Sequence, residues 1–146
     1  MAGQWWDNPP TSEQNGLVSP GVLARVSLEE GIADADRLAI AGWSYGGFTA
    51  AWAVSQTTRF RAAVMGAGIS HWASFHGKSC LPAWDAIYYQ TDPYERGGKF
   101  EQFSPITYAA DIQTPTLILH GEKDQDVEKQ RGGQGRVSRA ARGWAP

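Results

Sequence analysis

At 146 residues the chain has room for one ordinary domain and not for two independent ones. With 42% hydrophobic and 19% charged residues it has a globular composition, which excludes a wholly disordered, collagenous or coiled-coil protein. A net charge of −2 offers no basic field to draw nucleic acid or an anionic membrane, and a single cysteine, Cys80, excludes an intrachain disulfide and fits a reducing, cytoplasmic setting.

Residues 1–20 carry Pro9, Pro10 and Pro20 among Asn, Gln, Ser and Gly with no sustained period, and are expected to form an irregular arm. The first ten residues have neither the basic nor the apolar region of a signal peptide. From Val22 to Glu30, the residues Val22, Leu23, Val26 and Leu28 predict one apolar helix face, closed by Gly31. The run Leu38 to Gly42 reads as a strand buried on both faces of a parallel sheet. No charge occurs between Arg37 and Arg59, long enough to suggest a membrane span. Gly42, Gly46 and Gly47 interrupt that stretch, so it reads better as strand, tight turn and helix. Phe48, Ala51, Trp52 and Val54 continue at helical spacing as far as Thr57 or Thr58.

Two further apolar runs, Phe60 to Met65 and Thr116 to His120, predict more strands, and the fold class that follows is α/β with a mostly parallel sheet. Residues 70–114 are rich in aromatics and too long for a plain loop, which predicts short helices near 83–89 and 99–103 capping one face of the sheet. Residues 129–146 hold Lys129, Arg131, Arg136, Arg139 and Arg142 with no acid and little apolar content, a solvated tail. The expected organisation is therefore an arm (1–20), a catalytic-type domain (21–128) and a basic Gly/Arg-rich tail (129–146).

Gly42-Trp43-Ser44-Tyr45-Gly46 fits the G-x-S-x-G nucleophile elbow, with a strand before it and an apolar-faced helix after it. Side chains at positions 42 and 46 are expected to collide with the turn and neighbouring strands. Ser44 Oγ would then face solvent at the sheet edge, with the Tyr45 amide aimed where an oxyanion forms and the helix N-terminus adding favourable potential. A turn that merely joins strand to helix needs no such pattern, and the paired flanking elements favour a nucleophile.

A serine hydroxyl needs a base oriented by an acid. The strand at 116–120 leads into Gly121-Glu-Lys-Asp124, which sets a carboxylate beyond a strand's C-terminal end, where sites of open parallel sheets assemble. Asp124 is the first candidate, with Glu122 and Asp126 as rivals and an ordinary solvated acidic loop as the plain reading.

Four segments, GIADADRL (31–38), AGWSYGG (41–47), SPITY (104–108) and TPTLILHGEKD (114–124), resemble the catalytic domain of the prolyl oligopeptidase family of serine peptidases, over about residues 21–128. The resemblance implies a partial α/β-hydrolase fold, with Ser44 as nucleophile, Asp124 as triad acid and the Tyr45 amide as an oxyanion donor. It makes His120 a strand-end residue rather than the base. Trp72, Trp84, Tyr88 and Tyr89 resemble the family's hydrophobic wall for the substrate side chain, although core packing would explain each equally well. The family's catalytic histidine follows the aspartate, whereas the histidines here are His71, His76 and His120. A rearranged pairing of His71 or His76 with Ser44 would reverse the chain order. The expectation is thus a peptidase catalytic domain acting on short peptides and lacking its triad base. The alternative is an inactive, truncated remnant that self-associates through exposed sheet edges. A peptide substrate is the implied partner, and no metal, cofactor, nucleic acid or membrane is implied. Cys80 reads as a packed or incidental thiol.

Overall fold

A computed structural model describes residues 27–80 and 82–127 of the chain. Three parallel strands, β1 (Ala39–Trp43), β2 (Ala62–Gly66) and β3 (Thr116–Leu119), form one sheet in the order β1-β2-β3. Helix α1 (Tyr45–Gln56) links β1 to β2. Helices α2 (Trp72–Lys78), α3 (Pro82–Tyr89) and α4 (Lys99–Gln102), then a 3-10 turn at Pro105–Tyr108, fill the connection from β2 to β3. The arm and the basic tail lie outside the described residues, as does most of the helix expected at 22–30, of which Ser27 to Glu29 are helical. Among the described residues no helix is long and apolar enough to cross a membrane.

Strand register explains which apolar residues are sealed. Ile40 pairs with Ala63, which pairs with Thr116, and Gly42 pairs with Met65, which pairs with Ile118. With side chains alternating along each strand, these six share one face. That face meets α1, where Ala53 and Val54 cluster with Phe60, Ala63, Ala109 and Ile112, and Leu38, Ile40 and Ile118 pack around them. The opposite face carries Ala39, Ala41, Trp43, Ala62, Leu117 and Leu119, all exposed among the described residues. The expectation that Leu38 to Gly42 is buried on both faces is therefore corrected: β1 alternates between exposed and half-buried because the described residues, α1 with Ala109 and Ile112, cover one face of the sheet and leave the other open.

The aromatic segment forms a second layer seated on α1 rather than directly on the sheet. Phe48 and Trp52 of α1 cluster with Ile69, Trp72, Phe75, Phe100 and Val127, and Tyr45, Tyr89, Phe103 and Tyr108 pack around the rim. The helices expected near 83–89 and 99–103 are α3 and α4, but α2 was not foreseen. Ser104, fully buried, ties this layer together: its Oγ donates to the Phe100 carbonyl at 2.6 Å and accepts from the Trp72 amide at 2.9 Å. Beside it the Ile106 amide donates to the Ser70 carbonyl at 3.0 Å. The SPITY segment thus joins the start of α2 to the end of α4.

Candidate active site

Ser44 sits between β1 and α1 with φ 57° and ψ −120°, a left-handed conformation that non-glycine residues avoid. Such a residue stores about 1–3 kcal/mol of strain, tolerated where its surroundings fix it. Here the Ser44 amide donates to the Gly66 carbonyl at 2.8 Å, and its own carbonyl accepts from the Phe48 amide at 3.0 Å. The side chain is exposed and makes no capping bond to the helix. The first amides of α1, beginning with Tyr45, are the helix donors that lack intrahelical partners.

Close packing, not turn conformation, explains two of the glycines. A Cβ at Gly42 would be driven into the Gly46 carbonyl, and one at Gly47 into the Gly66 carbonyl. Gly46 departs from expectation, since a Cβ there would meet nothing within 4 Å outside its own helix. Its backbone, rather than a forbidden side chain, is what crowds Gly42.

Asp124 follows β3 at the same edge of the sheet. Successive bonds along that edge, Ser44 amide to Gly66 carbonyl and Ala67 amide to Leu119 carbonyl, each 2.8 Å, leave only β2 between the two strand ends. Two strand spacings amount to about 10 Å. Asp124 Oδ1 accepts from the amides of Asp126 and Val127 at 3.1 and 3.0 Å, and Oδ2 lies 3.7 Å from His120 Nε2. His120 is buried and also bonds the Val127 carbonyl through Nε2, so it clasps the loop from inside. The rivals are placed differently. Glu122 is exposed, and Asp126 instead anchors the end of α2, its carbonyl accepting from Ser79 Oγ at 2.7 Å and its Oδ1 from Cys80 Sγ at 2.9 Å. That bond to Asp126 pushes the exposed Cys80 thiol above its ordinary range.

The four wall residues do not share one environment. Trp72 is 1% exposed and lies edge-on to Phe48, so it backs Tyr45 from within the core. Tyr89 is half-buried between Trp72, Phe100 and Phe103, and that burial raises its hydroxyl well above the ordinary tyrosine range. Tyr88 is 63% exposed. Trp84 belongs to α3, but its side chain lies outside the described ones. Burial first, and the charge of Tyr88 second, also raise the Tyr45 hydroxyl.

One pair went unforeseen. Asp85 on α3 is fully buried, and its two carboxylate oxygens lie 3.0 and 3.2 Å from Nδ1 of His76 on α2. A lone acid between Trp84 and Ile87 in an apolar helix is a sequence sign of a buried partner, although it does not say which residue that is. His76 is thereby engaged away from Ser44 in a bond of its own, and His71 caps the start of α2.

Residues 22–134 match the prolyl oligopeptidase family. Peptidase YuxL of Bacillus subtilis (strain 168) is 47% identical over 97 residues, which are 62% of this chain and 14% of that protein. The acylamino-acid-releasing enzyme of Arabidopsis thaliana is 34% identical over 117 residues, 74% of this chain and 15% of that protein. The chain thus spans about a seventh of the length of these relatives. Among solved structures, Pyrococcus horikoshii acylaminoacyl peptidase superposes with a TM-score of 0.75 at 25% identity, over 88% of this chain and 22% of that one. A Mycobacterium tuberculosis puromycin-hydrolyzing peptidase gives 0.72 at 31% identity, over 90% of this chain and 20% of that one. The parallel sheet with its elbow is part of an α/β-hydrolase fold. On the match over residues 22–134, the chain belongs to the prolyl oligopeptidase family.

Proposed function

We propose that this chain carries the nucleophile and acid of a serine peptidase that cleaves short peptides by acyl transfer. The supporting observation is an exposed Ser44 held at φ 57° on a strand-to-helix elbow, with Asp124 secured at the same sheet edge. In this reading Ser44 Oγ attacks the substrate carbonyl, the Tyr45 amide donates to the developing oxyanion, and water later releases the acyl group. Asp124 Oδ1 accepts from two backbone amides, which leaves Oδ2, 3.7 Å from His120 Nε2, as the oxygen that would orient a base in this reading.

That imidazole does not follow Asp124 in this sequence, and His76 and His120 are committed to Asp85 and to the Val127 carbonyl. Loss of the base from such a triad lowers kcat by about six orders of magnitude. The expected behaviour of the chain alone is slow acylation at one defined serine. Prolonged exposure to a fluorophosphonate, followed by peptide mapping, should give an adduct at Ser44 that Ser44→Ala abolishes, and free imidazole should accelerate its formation. Adducts scattered over exposed serines, with Ser44 no faster than the rest in a folded chain, would overturn the assignment.

A further inference from the structure

The turn that holds the Asp124 carboxylate is built partly from its own backbone and partly from α2. Oδ1 accepts from the amides of Asp126 and Val127 at 3.1 and 3.0 Å, bonds that fix the shape of the turn itself. Two further bonds reach it from the end of α2, 47 and 46 residues earlier in the chain: Ser79 Oγ donates to the Asp126 carbonyl at 2.7 Å, and Cys80 Sγ donates to Asp126 Oδ1 at 2.9 Å. The two are not equivalent. The Asp126 carbonyl and the Val127 amide are opposite ends of one planar peptide group. A hydroxyl that fixes the carbonyl therefore fixes the amide as well, and by drawing electron density toward the oxygen it makes the N–H a stronger donor. The path from Ser79 hydroxyl through the 126–127 peptide to Asp124 Oδ1 has no link longer than 3.0 Å. Cys80 is an exposed, weakly donating thiol that grips the Asp126 side chain instead. Ser79 is half-buried, and its own amide closes α2 by donating to the Phe75 carbonyl at 2.8 Å, so the helix sets where its hydroxyl stands. The Val127 side chain, buried with Phe48 and Trp52, secures the far side of the same peptide.

We infer that Ser79 is a positioning residue for Asp124: through the 126–127 peptide its hydroxyl holds the carboxylate in the orientation that offers Oδ2 to a base. This rests on the reading of Asp124 as the acid partner of Ser44, but its first readout needs no reaction. Amide hydrogen exchange, followed by heteronuclear NMR, is compared in the 146-residue chain and in Ser79→Ala, Ser79→Thr and Cys80→Ala. Ser79→Ala removes the hydroxyl and keeps the backbone bond to Phe75. It should speed exchange of the Val127 amide about tenfold, the loss of one hydrogen bond to a charged group, and leave the amides of α1 unchanged. Ser79→Thr should restore the protection, and Cys80→Ala should retain it. The second readout is the acceleration by imidazole of fluorophosphonate labelling at Ser44, taken as the ratio of rates with and without imidazole. That ratio should fall in Ser79→Ala and recover in Ser79→Thr. A lower melting temperature in Ser79→Ala with both readouts intact would show a structural role only and overturn the proposal. Equal losses in Ser79→Ala and Cys80→Ala would also overturn it, since any tether on the loop would then serve. Where Ser79→Ala does not fold, Ser79→Thr decides: lost Val127 protection in that folded variant refutes the relay through the peptide. Labelling that imidazole accelerates, with Val127 exchange unchanged in Ser79→Ala, refutes this inference alone, whereas faster exchange in a chain that never labels at Ser44 refutes only the catalytic reading.

Discussion

On one face of the sheet Ala63 and Met65 are sealed beneath α1, whereas on the other Trp43, Leu117 and Leu119 remain 64%, 56% and 45% exposed. One sheet of three strands supplies both sets, and apolar residues stand on each face. What separates them is a partner layer: burial stabilises in proportion to the apolar area removed from water, and only one face has had its area removed by the described residues. The elbow belongs to the sealed side, because Gly42 and Gly47 let α1 approach the ends of β1 and β2 closely enough to fix Ser44.

The sharpest way to break this comparison is to add one methyl group to each side. Gly42→Ala drives a Cβ into the fixed Gly46 carbonyl and should cost about 4 kcal/mol, the range reserved for severe overpacking. Gly66→Ala points mainly at the ring of Trp43, an exposed side chain that can swing aside, and should cost about 1 kcal/mol. Urea unfolding of both variants checks the difference, and equal losses would mean that the faces are not distinct. Truncation should follow the same rule. Met65→Ala should cost about 3 kcal/mol, and Leu117→Ala no more than about 0.5 kcal/mol. On the open face, lysines at positions 117 and 119 should raise the concentration at which the chain stays dispersed in light scattering, with stability altered by no more than about 0.5 kcal/mol.

Much of the elbow was legible in the sequence because its chemistry is local: Gly42, Ser44 and Gly47 lie within six residues, and the strand-to-helix change in period brackets them. The three strands were legible for the same reason. Their covering was not, since an apolar run such as Leu38 to Gly42 records what a strand can bury and not what is there to bury it. Helix α2 was hidden because His71 caps it without a side-chain bond and its seven residues are too few for a period to emerge. The wall residues divided on contacts that no spacing encodes, with Trp72 drawn into the core by Phe48 and Phe75 while Tyr88 faces out. The His76 to Asp85 contact escaped because a pair nine apart across two helices depends on a turn whose course only the fold defines.

The aromatic layer over α1 offers a last and smaller test, through pH. Burial raises the Tyr89 hydroxyl strongly, and burial followed by Tyr88 raises that of Tyr45, each from an ordinary value of 10.0. Below that value both states hold the proton and the two residues contribute fully. Above it the unfolded chain releases protons that the folded chain retains, so stability must fall as pH rises from about 10 upward. Each unit of pH in that window removes about 1.4 kcal/mol per fully shifted group. Tyr89→Phe keeps the ring between Trp72 and Phe100 but cannot ionise, so its melting temperature should decline less between pH 9 and pH 11 than that of the unaltered chain. Parallel declines would mean that the Tyr89 hydroxyl reaches water, and that the layer over α1 is as open as the far side of the sheet.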